Sequence, residues 1–235
     1  DGDNDLIISN RWDEGRSVWI NDGAGNYFDE SAARMPDVKC NHGQSALVDL
    51  NGDKDLDLLM ACWETTGKYG GLRQLVNNGK GYFTEVTNTN MPVKHSSHRF
   101  EHISAADLDG DGDLDVIATG YRSHYATLIN GGDPFNTDGA YFFSKSLASL
   151  QTNYDKYGVV MADLNGDKNI DLYFAQYNGQ NMLFHNKGDG TMKNVSGSHL
   201  PAVSDSSRRV LAADVDKDND VDLFVINNGV NRLQV

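Results

Sequence analysis

Residues 106–120 read ADLDGDGDLDVIATG, with aspartates at 107, 109, 111, 113 and 115 leading straight into an apolar segment. Carboxylates this close repel one another by roughly 1–4 kcal/mol per pair, depending on how much water screens them. A folded loop of this composition needs something to offset that repulsion. The same pattern returns as DLNGDKDLDLLM from 49, DLNGDKNIDLYF from 163 and DVDKDNDVDLFV from 214. The opening DGDNDLII matches its second half, which puts Asp1, Asp3 and Asp5 at the fifth, seventh and ninth loop positions. The ninth-position aspartates, Asp5, Asp57, Asp115, Asp171 and Asp222, are 52, 58, 56 and 51 residues apart. A period near 50 marks a propeller or another repeat array.

Between the Asp loops every unit reads alike. A short segment (SALVDL, ISAADL, VVMADL, VLAADV) enters the loop, and an unbroken apolar run (LLMAC, VIATG, LYFAQ, LFVIN) leaves it. A second apolar segment such as SVWIN, RQLVN or ATLIN follows, then a turn of the form NDGAGNYF, NNGKGYF or NKGDGTM. Short β-branched and aromatic runs separated by Gly/Asn turns are strands joined by hairpins. Strands apolar on both sides must be covered on both faces. The expected fold is therefore all-β, a β-propeller of four-stranded antiparallel blades. The chain enters inside one Asp loop and leaves within the third strand of another unit. It is expected to be a single propeller region over 1–235, incomplete at both ends and holding about four and a half blades of a larger ring; an open array is the other reading.

The net charge of −14 is local in origin: 20 of the 34 acidic residues lie in the five Asp stretches, and the rest of the chain is slightly basic. The acidic field disfavours nucleic acid as a partner. No apolar run approaches the roughly 20 residues that span a bilayer, so no membrane insertion is expected from this segment.

Oxygens at loop positions 1, 3, 5 and 9, with a backbone carbonyl at 7, make a hard-ligand cage. Calcium accepts six to eight oxygens at about 2.3–2.6 Å, whereas magnesium keeps its waters in a smaller octahedron. Gly52, Gly110 and Gly166 at position 4 permit the sharp turn around an ion. An EF-hand shares the opening of this pattern but needs a glutamate at position 12 and flanking helices. Position 12 is Met60, Ala118, Phe174 and Val225, all inside apolar runs.

With these loops in view, the chain resembles the FG-GAP/VCBS repeat family, whose loops follow D-x-[ND]-G-D-x-x-x-D-[LV]. It is similar to the integrin α-subunit propeller in those loops. The segment NMLFHNKGDGTMKNVS at 181–196 is similar to the cartilage-acidic-protein type of VCBS propeller. The resemblance implies an extracellular, seven-bladed propeller with structural Ca²⁺ in hairpins between first and second strands. Carried onto this sequence, the metal ligands are Asp49, Asn51, Asp53, Asp55 and Asp57; Asp107, Asp109, Asp111, Asp113 and Asp115; Asp163, Asn165, Asp167, Asn169 and Asp171; and Asp214, Asp216, Asp218, Asp220 and Asp222. Residues at position 7 would give mainly their carbonyls. Asp1, Asp3 and Asp5 form a partial fifth site, and Lys217 departs from the family's position-4 glycine.

No catalytic residue is assigned, and the chain is not expected to be an enzyme. HRFEH at 98–102 matches the H-x-x-E-H form of an inverted zinc protease, but that chemistry needs a helix. Here the segment runs into the strand ISAAD. The face opposite the Asp loops carries Trp63, Arg99, His102, Tyr121, Arg122, Tyr125, Tyr157, Tyr177, Arg208 and Arg209, residue types that dominate binding hot spots. A protein or glycan ligand is expected there. Adhesion or protein interaction is the leading reading; the alternatives are a lectin-like propeller and a non-catalytic domain of a larger extracellular enzyme. In this strand scheme Cys40 and Cys62 fall at adjacent strand ends, which suits a disulfide in an oxidising compartment. Asn194, in NVS, is a candidate glycan acceptor.

Overall fold

The computed structural model describes residues 2–9, 16–38, 42–62, 71–87, 99–121, 125–131, 142–144 and 155–234. Eighteen strands are described, in five successive groups. The first comprises β1 (Leu6–Ser9), β2 (Arg16–Asn21) and β3 (Tyr27–Asp29), followed by a helical turn, α1 (Ser31–Arg34). Three four-stranded groups follow. They are β4 (His42–Val48), β5 (Asp57–Cys62), β6 (Leu72–Asn77) and β7 (Phe83–Glu85); then β8 (Phe100–Ala106), β9 (Asp115–Gly120), β10 (Tyr125–Asn130) and β11 (Phe142–Ser144); then β12 (Asp155–Ala162), β13 (Asp171–Gly179), β14 (Met182–Asn186) and β15 (Met192–Asn194). After the turn α2 (Ser196–His199) come β16 (Asp205–Ala213), β17 (Asp222–Asn227) and β18 (Arg232–Gln234). Within each group neighbours in sequence pair antiparallel. A short ladder, Tyr177 with Ser206 and Gly179 with Asp205, also joins β13 to β16.

The apolar runs behave as blades packed face to face require. Successive strand side chains point to opposite faces, and the second strand of each four-stranded sheet feeds two cores. Leu59 and Ala61 pack towards β8–β10, while Leu58, Met60 and Cys62 join Ile7 and Val38 on the other side. Ile117, Leu172 and Phe174 share one core; Tyr173 and Ala175 share the next with Val210, Leu223 and Val225. Sheets stacked through both faces about their first strands are the blades of a β-propeller. Contacts between successive blades run through those strands: β4 against β8, β8 against β12, and β12 against β16.

Close approach at the inner strands depends on two glycines. A Cβ at Gly43 would lie 2.6 Å from the Phe100 carbonyl, and one at Gly158 would lie 3.1 Å from Arg209 Cα and Val210 N. Each inner strand also carries a bulge near its start, between His42 and Ser45, Phe100 and His102, Lys156 and Gly158, and Ser207 and Arg209.

Candidate metal loops and the opposite rim

All four complete Asp loops join the first and second strands of a blade, as the sequence predicts, and they share one internal hydrogen-bond pattern. The position-1 carboxylate accepts the N–H groups of positions 4 and 6: Asp49 from Gly52 and Lys54 (2.8 and 3.0 Å), Asp107 from Gly110 and Gly112 (2.7 and 2.9 Å). Asp163 does so from Gly166 and Lys168 (both 2.8 Å), and Asp214 from Lys217 and Asn219 (2.6 and 3.1 Å). Position-5 carboxylates accept from the N–H two residues on, as in Asp111 from Asp113 at 2.9 Å and Asp167 from Asn169 at 2.8 Å. Positions 4 and 6 are left-handed in all four loops, with φ between 68° and 98°. Lys217 adopts φ 68° where the others have glycine, so the fourth loop keeps the common backbone.

Position 9 is the buried floor of the loop. Asp57, Asp115 and Asp171 are fully buried. Each spends one oxygen on the position-2 N–H and the other on an asparagine N–H at the end of the third strand. For Asp115 these are Leu108 and Asn130, both at 2.8 Å; for Asp171, Leu164 at 3.2 Å and Asn186 at 2.8 Å. Burial pushes Asp57 and Asp115 up to about 6; the accepted N–H groups oppose that shift and neighbouring loop carboxylates add to it. A divalent ion would reverse the effect by favouring the ionised form.

The carboxylates converge most tightly in two loops. Oxygens of Asp107, Asp109 and Asp115 lie within 4.8 Å of one another, as do those of Asp214, Asp216 and Asp218. Asp109 Oδ1 is buried without a hydrogen-bond partner. Burial, with Asp111, Asp107 and Asp109, raises the Asp113 carboxyl above its ordinary value. In the loops from 49 and 163 an asparagine at position 3 relieves the crowding: Asn51 Nδ2 donates to Asp53 (2.9 Å) and Asn165 Nδ2 to Asp167 (3.1 Å). A hard cation with oxygen preference fits this donor set, and the orphaned Asp109 oxygen is where the fit is strictest. In the partial loop, Asp5 Oδ1 accepts from Asn21 N at 2.9 Å, the ninth-position role again. Asp1 lies outside the described residues.

The third-strand asparagines are functional residues that the sequence reading passed over. Asn130 Nδ2 donates to Leu50 O (2.9 Å) and Asn186 Nδ2 to Leu108 O (2.7 Å), each reaching the Asp loop of the preceding blade. Leu50 and Leu108, at loop position 2, are themselves buried in the junction with the following blade. Loop, core and neighbouring blade are thus one unit. The available signal was the Asn that ends the third strand, followed by an xGxG turn at Asn21, Asn77 and Asn186 and by GGDP at Asn130.

On the opposite rim, Arg99 stacks over Tyr121 at 5.9 Å. Tyr125 faces the buried Lys156, whose ammonium is 5.5 Å from its ring. Burial lowers Lys156 to about 8 despite Asp155, and lowers His102 to about 4 with help from Arg209. Tyr177 packs edge-on against Tyr157, and Arg208 covers both rings. Lys156 thus joins the expected Arg99, His102, Tyr121, Tyr125, Tyr157, Tyr177, Arg208 and Arg209. Trp63 and Arg122 lie outside the described residues. Glu101 and His102 sit on strand β8 rather than on the helix an inverted zinc protease requires. Cys62, the buried last residue of β5, is disulfide-bonded; Cys40, the chain's other cysteine, lies outside the described residues.

Asn194 is exposed, but its tripeptide also has a structural part. Asn194 Oδ1 accepts from Ser196 Oγ at 2.7 Å, and the buried Ser196 Oγ accepts from Leu183 N at 2.9 Å. Ser31 with Asp29 and Thr87 with Glu85 repeat the arrangement, accepting from Val18 N and Gln74 N.

Comparison with known proteins agrees with this architecture. No curated protein sequence matches. Among solved structures, a lectin of Agrocybe aegerita, studied for specific recognition of non-reducing terminal N-acetylglucosamine, is similar at a TM-score of 0.59 and 20% identity. The match covers 97% of this chain and 62% of the lectin chain, so the chain spans less than two thirds of that protein. The family model for the FG-GAP-like repeat matches residues 49–118 and 163–225, more than half of the sequence and four of its Asp loops. Loop spacing, blade topology and that match lead to one assignment: the chain belongs to the FG-GAP-like repeat family.

Proposed function

We propose that this chain is an extracellular interaction module whose Asp loops hold structural Ca²⁺ and whose opposite rim binds a protein or glycan. The observation that carries the calcium reading is the 107–115 loop, where three carboxylates converge and one buried oxygen of Asp109 has no partner. Asp107, Asp109, Asp111 and Asp115 would supply carboxylates and Asp113 its carbonyl. The ion would neutralise a turn that otherwise repels itself. Loops with five aspartates, at 107 and 214, should bind more tightly than those at 49 and 163, because ligand charge count tunes calcium affinity. Calorimetric titration of chelator-treated protein should count four sites in two affinity classes, and Asp109→Asn should remove one tight site. A wild-type titration with no calcium heat would end the reading.

Glycan binding is the second reading, favoured by the aromatic and arginine side chains of the rim and by the lectin among similar folds. Glycan-array binding that survives in calcium and disappears on changing rim residues would support it over a protein partner. No catalytic role is proposed for the chain.

A further inference from the structure

The inner-strand bulges each expel a residue at the end remote from the Asp loop, and a bulge re-aims the side chain it carries. The extra residues are Gln44 (with Gly43), Glu101, Tyr157 and Arg208. Two of them reach the following blade, Gln44 touching β8 and Tyr157 meeting Arg208. Gln44 Oε1 accepts from Ile103 N at 3.2 Å, and Tyr157 lies within the electrostatic reach of Glu101 on one side and Arg208 on the other. Positions fixed by packing keep their chemistry from repeat to repeat, as Leu58, Val116, Leu172 and Leu223 do. The bulge position keeps its geometry while its chemistry runs Gln, Glu, Tyr, Arg. Tyr157 is buried against Tyr177 and Arg208, while Gln44, Glu101 and Arg208 keep exposed or half-buried side chains within reach of a ligand.

Arg208 indicates the ligand's chemistry. Its guanidinium lies 4.7 Å from the Tyr157 ring centre and 4.3 Å from that of Tyr177, and the two rings cross at 75°. Among the described residues no carboxylate pairs with Arg208 or with the exposed Arg209, in a chain of net charge −14. A planar guanidinium held by aromatic rings presents its N–H edge ready for a bidentate carboxylate. Asp155 and Glu101, beside Tyr157, can accept from hydroxyl groups. A sugar ring with one carboxylate and several hydroxyls meets all of these demands.

We propose that the bulge residues, at the first-strand ends remote from the Asp loops, bind a carboxylate-bearing saccharide, with Arg208 taking the carboxylate. This rests on the interaction-module reading and names its ligand class. The test is calorimetry on the calcium-loaded chain with trigalacturonate, its methyl ester and a pentaglutamate peptide. Trigalacturonate should bind, and the ester should bind about tenfold or more weaker because it lacks the charged acceptor. Arg208→Gln should lose a similar factor, while Arg208→Lys, which keeps charge but not the fork, should fall between. The ester comparison uses unaltered protein, so it decides even if Arg208→Gln disturbs the rim. Equal affinity for acid and ester, full binding by a folded Arg208→Gln protein, or preference for pentaglutamate would each overturn the proposal. A neutral glycan found by array, with no trigalacturonate binding, would sink this inference and leave the interaction module standing. No ligand of any class would sink both.

Discussion

Asp115 and Asp109 belong to the same loop but serve different ends. Asp115 has both oxygens committed to the N–H groups of Leu108 and Asn130, whereas Asp109 has an oxygen facing no donor. Asp115→Ala would strand two buried N–H groups and should cost about 2–4 kcal/mol in chemical denaturation, with calcium or with chelator. Asp109→Asn should leave chelated stability unchanged or raise it, by removing repulsion, and should remove only that loop's share of the calcium-dependent gain. Equal behaviour of the two variants would contradict the division. The repeat presents both aspartates alike as candidate ligands; it cannot show that one is a floor, because the partner N–H of Asn130 lies fifteen residues away across a strand. His102 gives a separate test. Its folded value near 4 lies below the ordinary 6.5, so the fold prefers it neutral. Its contribution is complete above about pH 6.5 and is lost as pH falls towards about 4. In calcium, wild type should lose more stability than His102→Gln between about pH 7 and about pH 4.5, and parallel losses would refute this.

At the scale of elements, what holds an Asp loop is largely the next blade. Asn186 Nδ2 donates both to Leu108 O of the preceding blade's loop and to Ile170 O of its own at 3.0 Å. Asn186→Leu should cost about 1–3 kcal/mol and speed amide exchange in the 107–115 loop as well as in β14. Exchange confined to β14 would mean that the staple carries no stability between blades. Strands and Asp hairpins were legible because apolar runs and Gly/Asn turns are local signals. Lys217 was a poor guide, since its left-handed backbone is held by Asp214 rather than by residue type. The bulges were invisible: a bulge is a mismatch between two strands, and neither strand records it alone. For the same reason Tyr157 and Arg208 could be read only as rim residues, not as neighbours.

Over the whole molecule, successive blades stack about their first strands, and the two junctions around β8–β11 each combine an apolar core, an asparagine staple and a charged loop. The core clusters are built from apolar side chains, so calcium is expected to tune stability rather than create the fold. Ligand at about a hundred times its dissociation constant adds about 2.7 kcal/mol per site, and about 1 kcal/mol moves the melting temperature of a protein of this size by roughly 2–4 °C. The most direct measurement is therefore thermal unfolding of the same protein in millimolar calcium and in excess chelator. The account predicts a melting temperature higher in calcium by about 5–10 °C for each site filled, with magnesium unable to substitute. Coincident melting curves in the two conditions would contradict it.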